Sequence, residues 1–150
     1  MNSNIEIEIS EKKNIIHDDP EIYTIDDVLT TEECDHFISI SKDKLAQSLV
    51  ADEIKSGGVL SNGRTSKTAW INHSHDEITK KVAYRISNIV NMPLENAENF
   101  QIVYYNVTQE YRSHFDSWKH DYSEKTLRYM KKVGARLKTA LLYLNNVEDG

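Results

Sequence analysis

Cysteine is almost absent from this chain. The 150 residues contain one, Cys34, so no disulfide can form within the chain, and a reducing compartment is allowed. Proline occurs twice and glycine five times, and there is neither an internal repeat nor a low-complexity tract. No apolar run approaches the roughly 20 residues that a membrane span needs. The opening MNSNIEIEIS has neither a basic n-region nor an apolar h-region, so it does not read as a secretory signal, and the cytoplasm is the default expectation. Positive charge is also short. The net charge is −6 and the pI near 5.5, which argues against nonspecific nucleic-acid binding, since that needs a basic face. A local exception is Lys125, Arg128, Lys131, Lys132, Arg136 and Lys138, which reads first as a solvated face. Several catalytic signatures are missing: GxSxG, HExxH, CxxC, and both glycine-rich phosphate loops.

What is present is an ordinary balance, 39% hydrophobic and 28% charged. The length suits a single domain, residues 1–150, able to bury roughly 68–70% of its unfolded surface. Residues 1–24 read as a peripheral extension. Ile5, Ile7 and Ile9 alternate with polar residues, a half-buried strand pattern. IYTI at 22–25 reads as a second strand after the Asp18-Asp19-Pro20 break. Thr30 and Glu33 have capping-box spacing, and Cys34, Phe37, Ile38, Ser41 and Leu45 then share one helical face. On that stripe Cys34 is expected to be a buried, unreactive thiol. Residues 51–66 hold Gly57, Gly58 and Gly63 and read as a mobile loop. KTAWI at 67–71 reads as a strand. Ser74 and Glu77 suggest a second capping box, before a stripe of Ile78, Val82, Ile86, Ile89 and Val90 that stops near Pro93. FQIVYYNV (100–107), EYRSHFDSW (110–118) and RLKTALLYLN (136–145) read as strands of a buried sheet, with a loop or short helix at 123–133. Helices first and a sheet after predict an α+β fold, with the helices on one face of an antiparallel sheet.

The chemistry centres on YRSHFDSW, residues 111–118. In a strand, residues two apart point to one side, so His114 and Asp116 share a face. Imidazole plus carboxylate is two-thirds of the 2-His-1-carboxylate triad that holds Fe(II) and leaves open positions. The spacing alone is a weak signal and reads first as the polar face of a half-exposed strand. A competing cluster, NHSHDE at 72–77, brings His73, His75, Asp76 and Glu77 together. With Ser74 as a cap, its acids would complement a helix dipole, so it reads as a helix start. His17, His36 and the His120-Asp121 pair read as surface groups.

A longer pattern surrounds the pair. YNVTQEYRSHFD, Tyr105 to Asp116, resembles the Tyr-x-x-Gly-Gln-x-Tyr-x-x-His-x-Asp signature of the prolyl 4-hydroxylase family of Fe(II)/2-oxoglutarate dioxygenases. DDVLTTEECDHFI resembles that family's early helix, and Arg64-Thr65-Ser66 with Trp70 beyond resembles its Arg-Thr-Ser segment. GARLKTALLYLNNVEDG resembles its Gly-Gln-Arg strand and Tyr-Leu-Asn turn. Thr108 stands where the family usually has glycine, and Ala135 where it has glutamine. The resemblance implies a double-stranded β-helix (jelly-roll) core with the N-terminal helices packed on the sheet. It implies Fe(II), 2-oxoglutarate and O2 as cofactors, ascorbate as reductant, and hydroxylation at C4 of proline in a proline-rich or collagen-like peptide. By the same resemblance His114 and Asp116 are metal ligands, and Tyr105 and Tyr143 lie near 2-oxoglutarate. Tyr111 lies near the reacting substrate, and Arg64, Ser66 and Arg136 line the peptide groove. The glycine-rich loop would close over the peptide, and the endoplasmic reticulum lumen becomes a second expected compartment. The family's distal iron-binding histidine and its 2-oxoglutarate lysine lie on later strands, so this chain is expected to be the N-terminal part of a longer protein and inactive alone. Two alternatives remain: a 2-oxoglutarate dioxygenase acting on another substrate, and a non-catalytic module that binds proline-rich peptides. Oligomeric state is not legible.

Overall fold

A computed structural model describes residues 12–51, 57–117 and 123–148. Strands β1 (Asn14–Asp18) and β2 (Glu21–Thr24) form an antiparallel hairpin that turns through a cis Asp19–Pro20 peptide. The expected strand around Ile5, Ile7 and Ile9 lies outside the described residues. Helix α1 (Thr31–Ser41) starts at the expected box: the Thr30 hydroxyl accepts from the Glu33 N–H, and the Glu33 carboxylate accepts from the Thr30 N–H. These two reciprocal bonds satisfy donors that a helix start leaves open. A 3-10 turn, Lys42–Lys44, leads into β3 (Ala46–Gln47).

β4 (Lys67–Ile71) is the centre of a three-stranded antiparallel sheet, with β3 on one side and β5 (Phe100–Tyr104) on the other. Its burial alternates with the two-residue period of a strand. Ala69 and Ile71 are buried while Trp70, paired with Gln101, faces out at 53% exposure. α1 packs on β4 and β5, and its Phe37 meets Phe100 edge to face, centroids 5.0 Å apart. Phe37, Ala69 and Ile71 join Val82 and Ala83 of α2 (Glu77–Val90) in the core.

The second helix starts two residues later than its sequence suggests. Asp76, not Ser74, is the N-cap, and it exchanges bonds with Thr79. A carboxylate accepts a backbone N–H as well as a hydroxyl does, and Ser74 is occupied with the Asn72 side chain. The helix ends at Asn91, which takes the left-handed conformation. α3 (Glu124–Val133) follows Ser123, whose hydroxyl accepts from the Thr126 N–H.

Two expected strands are not strands. In 110–117 only residues 110–112 pair: Thr65 N–H donates to the Glu110 carbonyl and Arg112 N–H to the Gly63 carbonyl. Past Arg112 the partner segment has turned away, because Ser61 and Arg64 bridge each other. Residues 136–145 have no ladder partner among the described residues, and an extended segment without one is not a sheet strand. The chain is therefore α+β with antiparallel sheets. Among the described residues no helix is long and apolar enough to cross a membrane.

Candidate metal centre

The turn that delivers YRSHFD follows β5 directly. Gln109 N–H donates to the Asn106 carbonyl, and the Gln109 side chain accepts from the Asn106 N–H. Thr108 inside this turn takes φ +68°, the left-handed region that L-residues reach at a cost. The chain then pairs briefly with residues 63–65. This contact places Tyr111 under Arg64, whose guanidinium carbon sits 4.6 Å from the Tyr111 ring centre. His114 stacks on Tyr111, centroids 3.6 Å apart and planes 21° apart. Arg64, Tyr111 and His114 are thus three consecutive layers.

The structure brings His114 and Asp116 side by side: Nε2 lies 3.3 Å from Oδ1. His114 Nδ1 is 2.8 Å from the Arg112 carbonyl oxygen. A carbonyl only accepts, so Nδ1 carries the proton and a neutral ring leaves its lone pair on Nε2. That lone pair faces a carboxylate oxygen, an arrangement that calls for a cation or a proton between the two. A divalent first-row ion holds such donors at about 2.0–2.2 Å, and two at right angles stand about 3 Å apart. The pair therefore fits adjacent positions on one metal ion. Both side chains are open to solvent, at 37% and 48% exposure. Among the described residues no group of three His, Cys, Asp or Glu is placed to hold a metal. His120 and Asp121 lie outside them.

Asp116 is held from a second direction. Its Oδ2 accepts from the Thr139 hydroxyl at 3.0 Å, and its carbonyl from Arg136 Nη1 at 3.3 Å. Arg136 itself is bound in two-pronged fashion by Glu98. That bond raises the guanidinium's already high pKa against the effect of burial, and Asp116 and Tyr111 add to it.

The remaining expected site residues are more dispersed. Arg64 is buried; it donates to the Leu49 carbonyl and the Thr68 hydroxyl, while its Nε meets no partner among the described residues. Ser66 is fully buried, its hydroxyl 2.8 Å from Ser48, and so forms part of the wall behind Arg64. Tyr105 and Tyr143 are 45% and 81% exposed, and among the described residues they make no hydrogen bond or ring contact with the cluster. The base of the 51–66 loop is closed by reciprocal Val50–Val59 bonds. There a side chain at Gly58 would press on the Val50 carbonyl, 2.7 Å from the Cβ position.

Other polar residues turn out to be structural ties. His36, expected as a surface group, lies 2.7 Å from the Asp76 carboxylate. Burial raises the Asp76 pKa, but bonds from Thr79 and His36 outweigh it and hold it low. His73 packs edge-on against Phe100. Cys34 is half-buried rather than buried, and desolvation beside Asp35 and Glu33 pushes its thiol up, which keeps it unreactive. The basic run is not one solvated face, since Arg136 holds Glu98 and Lys138 donates to the Val90 carbonyl. Glu98 and Thr139 carried no signal in the sequence: their partners lie 38 and 23 positions away.

Known proteins are similar to this chain in sequence. No protein-family model matches the chain. Prolyl 4-hydroxylase 5 of Arabidopsis thaliana is 35% identical over 136 residues, 91% of this chain and 45% of that protein. Probable prolyl 4-hydroxylase 7 of the same plant is 37% identical over 131 residues, 87% of this chain and 40% of that protein. Prolyl 4-hydroxylase 2 is 35% identical over 131 residues, 87% and 42% of the two chains. The chain spans less than half the length of these curated relatives.

Proposed function

The chain belongs to the prolyl 4-hydroxylase family, and from that premise we propose that it carries the iron-binding face of an Fe(II)/2-oxoglutarate dioxygenase that hydroxylates peptidyl proline. The observation that supports this most is the His114–Asp116 pair, 3.3 Å apart with Nδ1 tied to a carbonyl. His114 Nε2 and Asp116 Oδ1 are the two donors offered to the metal. When bound, Fe(II) with 2-oxoglutarate supplies the O2-dependent oxidation that side chains alone cannot perform.

The protein's own groups bind and orient. Arg112, through its carbonyl, fixes the His114 tautomer, and Tyr111 fixes the ring plane by stacking. Tyr111, stacked on His114, is the residue proposed to lie near the reacting proline. The phenols of Tyr105 and Tyr143 are the proposed hydrogen-bond donors to the 2-oxoglutarate carboxylates. Arg64 and Arg136 line the peptide groove, each already oriented, Arg64 by Leu49 and Tyr111 and Arg136 by Glu98. Ser66 supports Arg64 from behind through Ser48 and Thr68. The substrate is a proline-rich or collagen-like peptide, whose extended polyproline II form suits an aromatic-lined groove. The finer fold reading is a jelly roll, with which the antiparallel β3–β4–β5 sheet is compatible.

The test is succinate release by the whole protein with Fe(II), 2-oxoglutarate, ascorbate and a proline-rich peptide. The expected result is decarboxylation coupled to hydroxyproline, abolished in His114→Ala. Peptide binding without succinate in both proteins would favour a non-catalytic binding module. Turnover only with a proline-free substrate would move the protein elsewhere among the dioxygenases.

A further inference from the structure

We infer that Thr139 is a positioning residue for Asp116, its hydroxyl fixing which carboxylate oxygen is offered to the metal. This rests on the iron-site reading above. A carboxylate has two equivalent oxygens, and the torsion that exchanges them is broad and two-fold. Here the oxygens have different neighbours: Oδ2 takes the Thr139 hydroxyl at 3.0 Å, and Oδ1 faces His114 Nε2 at 3.3 Å. The hydroxyl bond removes the equivalence and leaves Oδ1 as the donor beside the imidazole. Metal-ligating carboxylates generally depend on such outer partners.

Thr139 can do this because its segment is anchored elsewhere. Lys138 Nζ donates to the Val90 carbonyl at the end of α2, at 2.7 Å. Arg136 is held by both oxygens of Glu98, just before β5, and its Nη1 reaches the Asp116 carbonyl. One short segment thus grips Asp116 at its backbone and at its side chain. The position of Asp116 is thereby tied to α2 and β5, although its own loop after Arg112 has no ladder partner among the described residues.

The test uses Mn(II) as probe, titrated against the whole protein by the loss of the free-ion paramagnetic resonance signal. Wild type, Thr139→Val, Thr139→Ser and His114→Ala are compared, and melting temperatures are recorded. Thr139→Val is expected to raise the Mn(II) dissociation constant about 10-fold or more, the usual effect of losing an outer-shell partner. Thr139→Ser keeps the donor and is expected to stay near wild type. Thr139→Val binding as tightly as wild type overturns the inference, as does Thr139→Ser binding as weakly as Thr139→Val. Should Thr139→Val melt early, the serine variant still decides. Wild type that takes up no Mn(II), or His114→Ala that takes it up equally well, overturns the iron-site reading and the inference with it.

Discussion

Residues 28–104 and residues 105–148 are held together in different ways. In the first stretch α1 and α2 are tied by charge, and α1 packs on a sheet. Glu33, buried, receives both Arg85 prongs at 2.6 and 2.8 Å, and Arg85 also donates to the Val28 carbonyl. In the second, large apolar side chains face solvent: Val107 85%, Phe115 87%, Leu137 74%, Leu141 74% and Tyr143 81% exposed. There the described contacts are directional ones, and a ring stack and single hydrogen bonds converge on His114 and Asp116, with Arg136 anchored on Glu98. The first stretch carries the packed core, and the second carries the His114–Asp116 pair. Damage to the two should therefore separate into lost stability and lost binding.

The sharpest way to break that division is Glu33→Ala. Removing one partner of a buried ion pair leaves the other uncompensated, and about 3 kcal/mol of unfolding free energy should be lost. Urea denaturation measures it, and a loss under about 1 kcal/mol, the range of an exposed pair, would put the helix tie elsewhere.

Acid should act through the same residue. Hydrogen bonds from Arg85 hold the Glu33 carboxyl at about 2, against a usual 4.5, with burial opposing. A pKa lowered by folding means stability that is complete above the unfolded value and fades as pH falls from about 4.5 through about 2. Unfolding curves between these limits should show that loss in wild type and a shallower one in Glu33→Gln.

Two smaller effects probe the second stretch. Thr108→Gly should gain about 1 kcal/mol, because a β-branched residue at φ +68° pays a left-handed cost that glycine does not. A destabilised glycine variant would mean that the threonine side chain holds the turn. Leu141→Ser in this 150-residue chain should change stability by no more than about 0.5 kcal/mol, the range of exposed sites. A larger loss would show Leu141 buried in solution.

Local patterns were legible in the sequence wherever local forces decide. The Thr30–Glu33 box, the KTAWI strand and the Val82 stripe all depend on neighbours within a turn or a ladder. The cap of α2 was misplaced by two residues because Ser74 and Asp76 are both good caps, and Asn72 claims the serine. The last two strands misled because an aromatic, β-branched run signals readiness to pair and carries no information about whether a partner is beside it. His114 and Asp116 do meet, although a carbonyl bond and a ring stack, not strand periodicity, bring them together. The ties Glu33–Arg85, His36–Asp76 and Glu98–Arg136 span 52, 40 and 38 positions, and no single-chain pattern announces a pair so far apart.

Proline hydroxylation is read most directly from the mass of a proline-rich peptide after incubation with the whole protein, Fe(II), 2-oxoglutarate and O2. Wild type should add one oxygen to proline, and Asp116→Ala none, with matching unfolding curves for the two proteins recorded as the control. An unmodified peptide with wild type, or equal modification by Asp116→Ala, would contradict the hydroxylase reading.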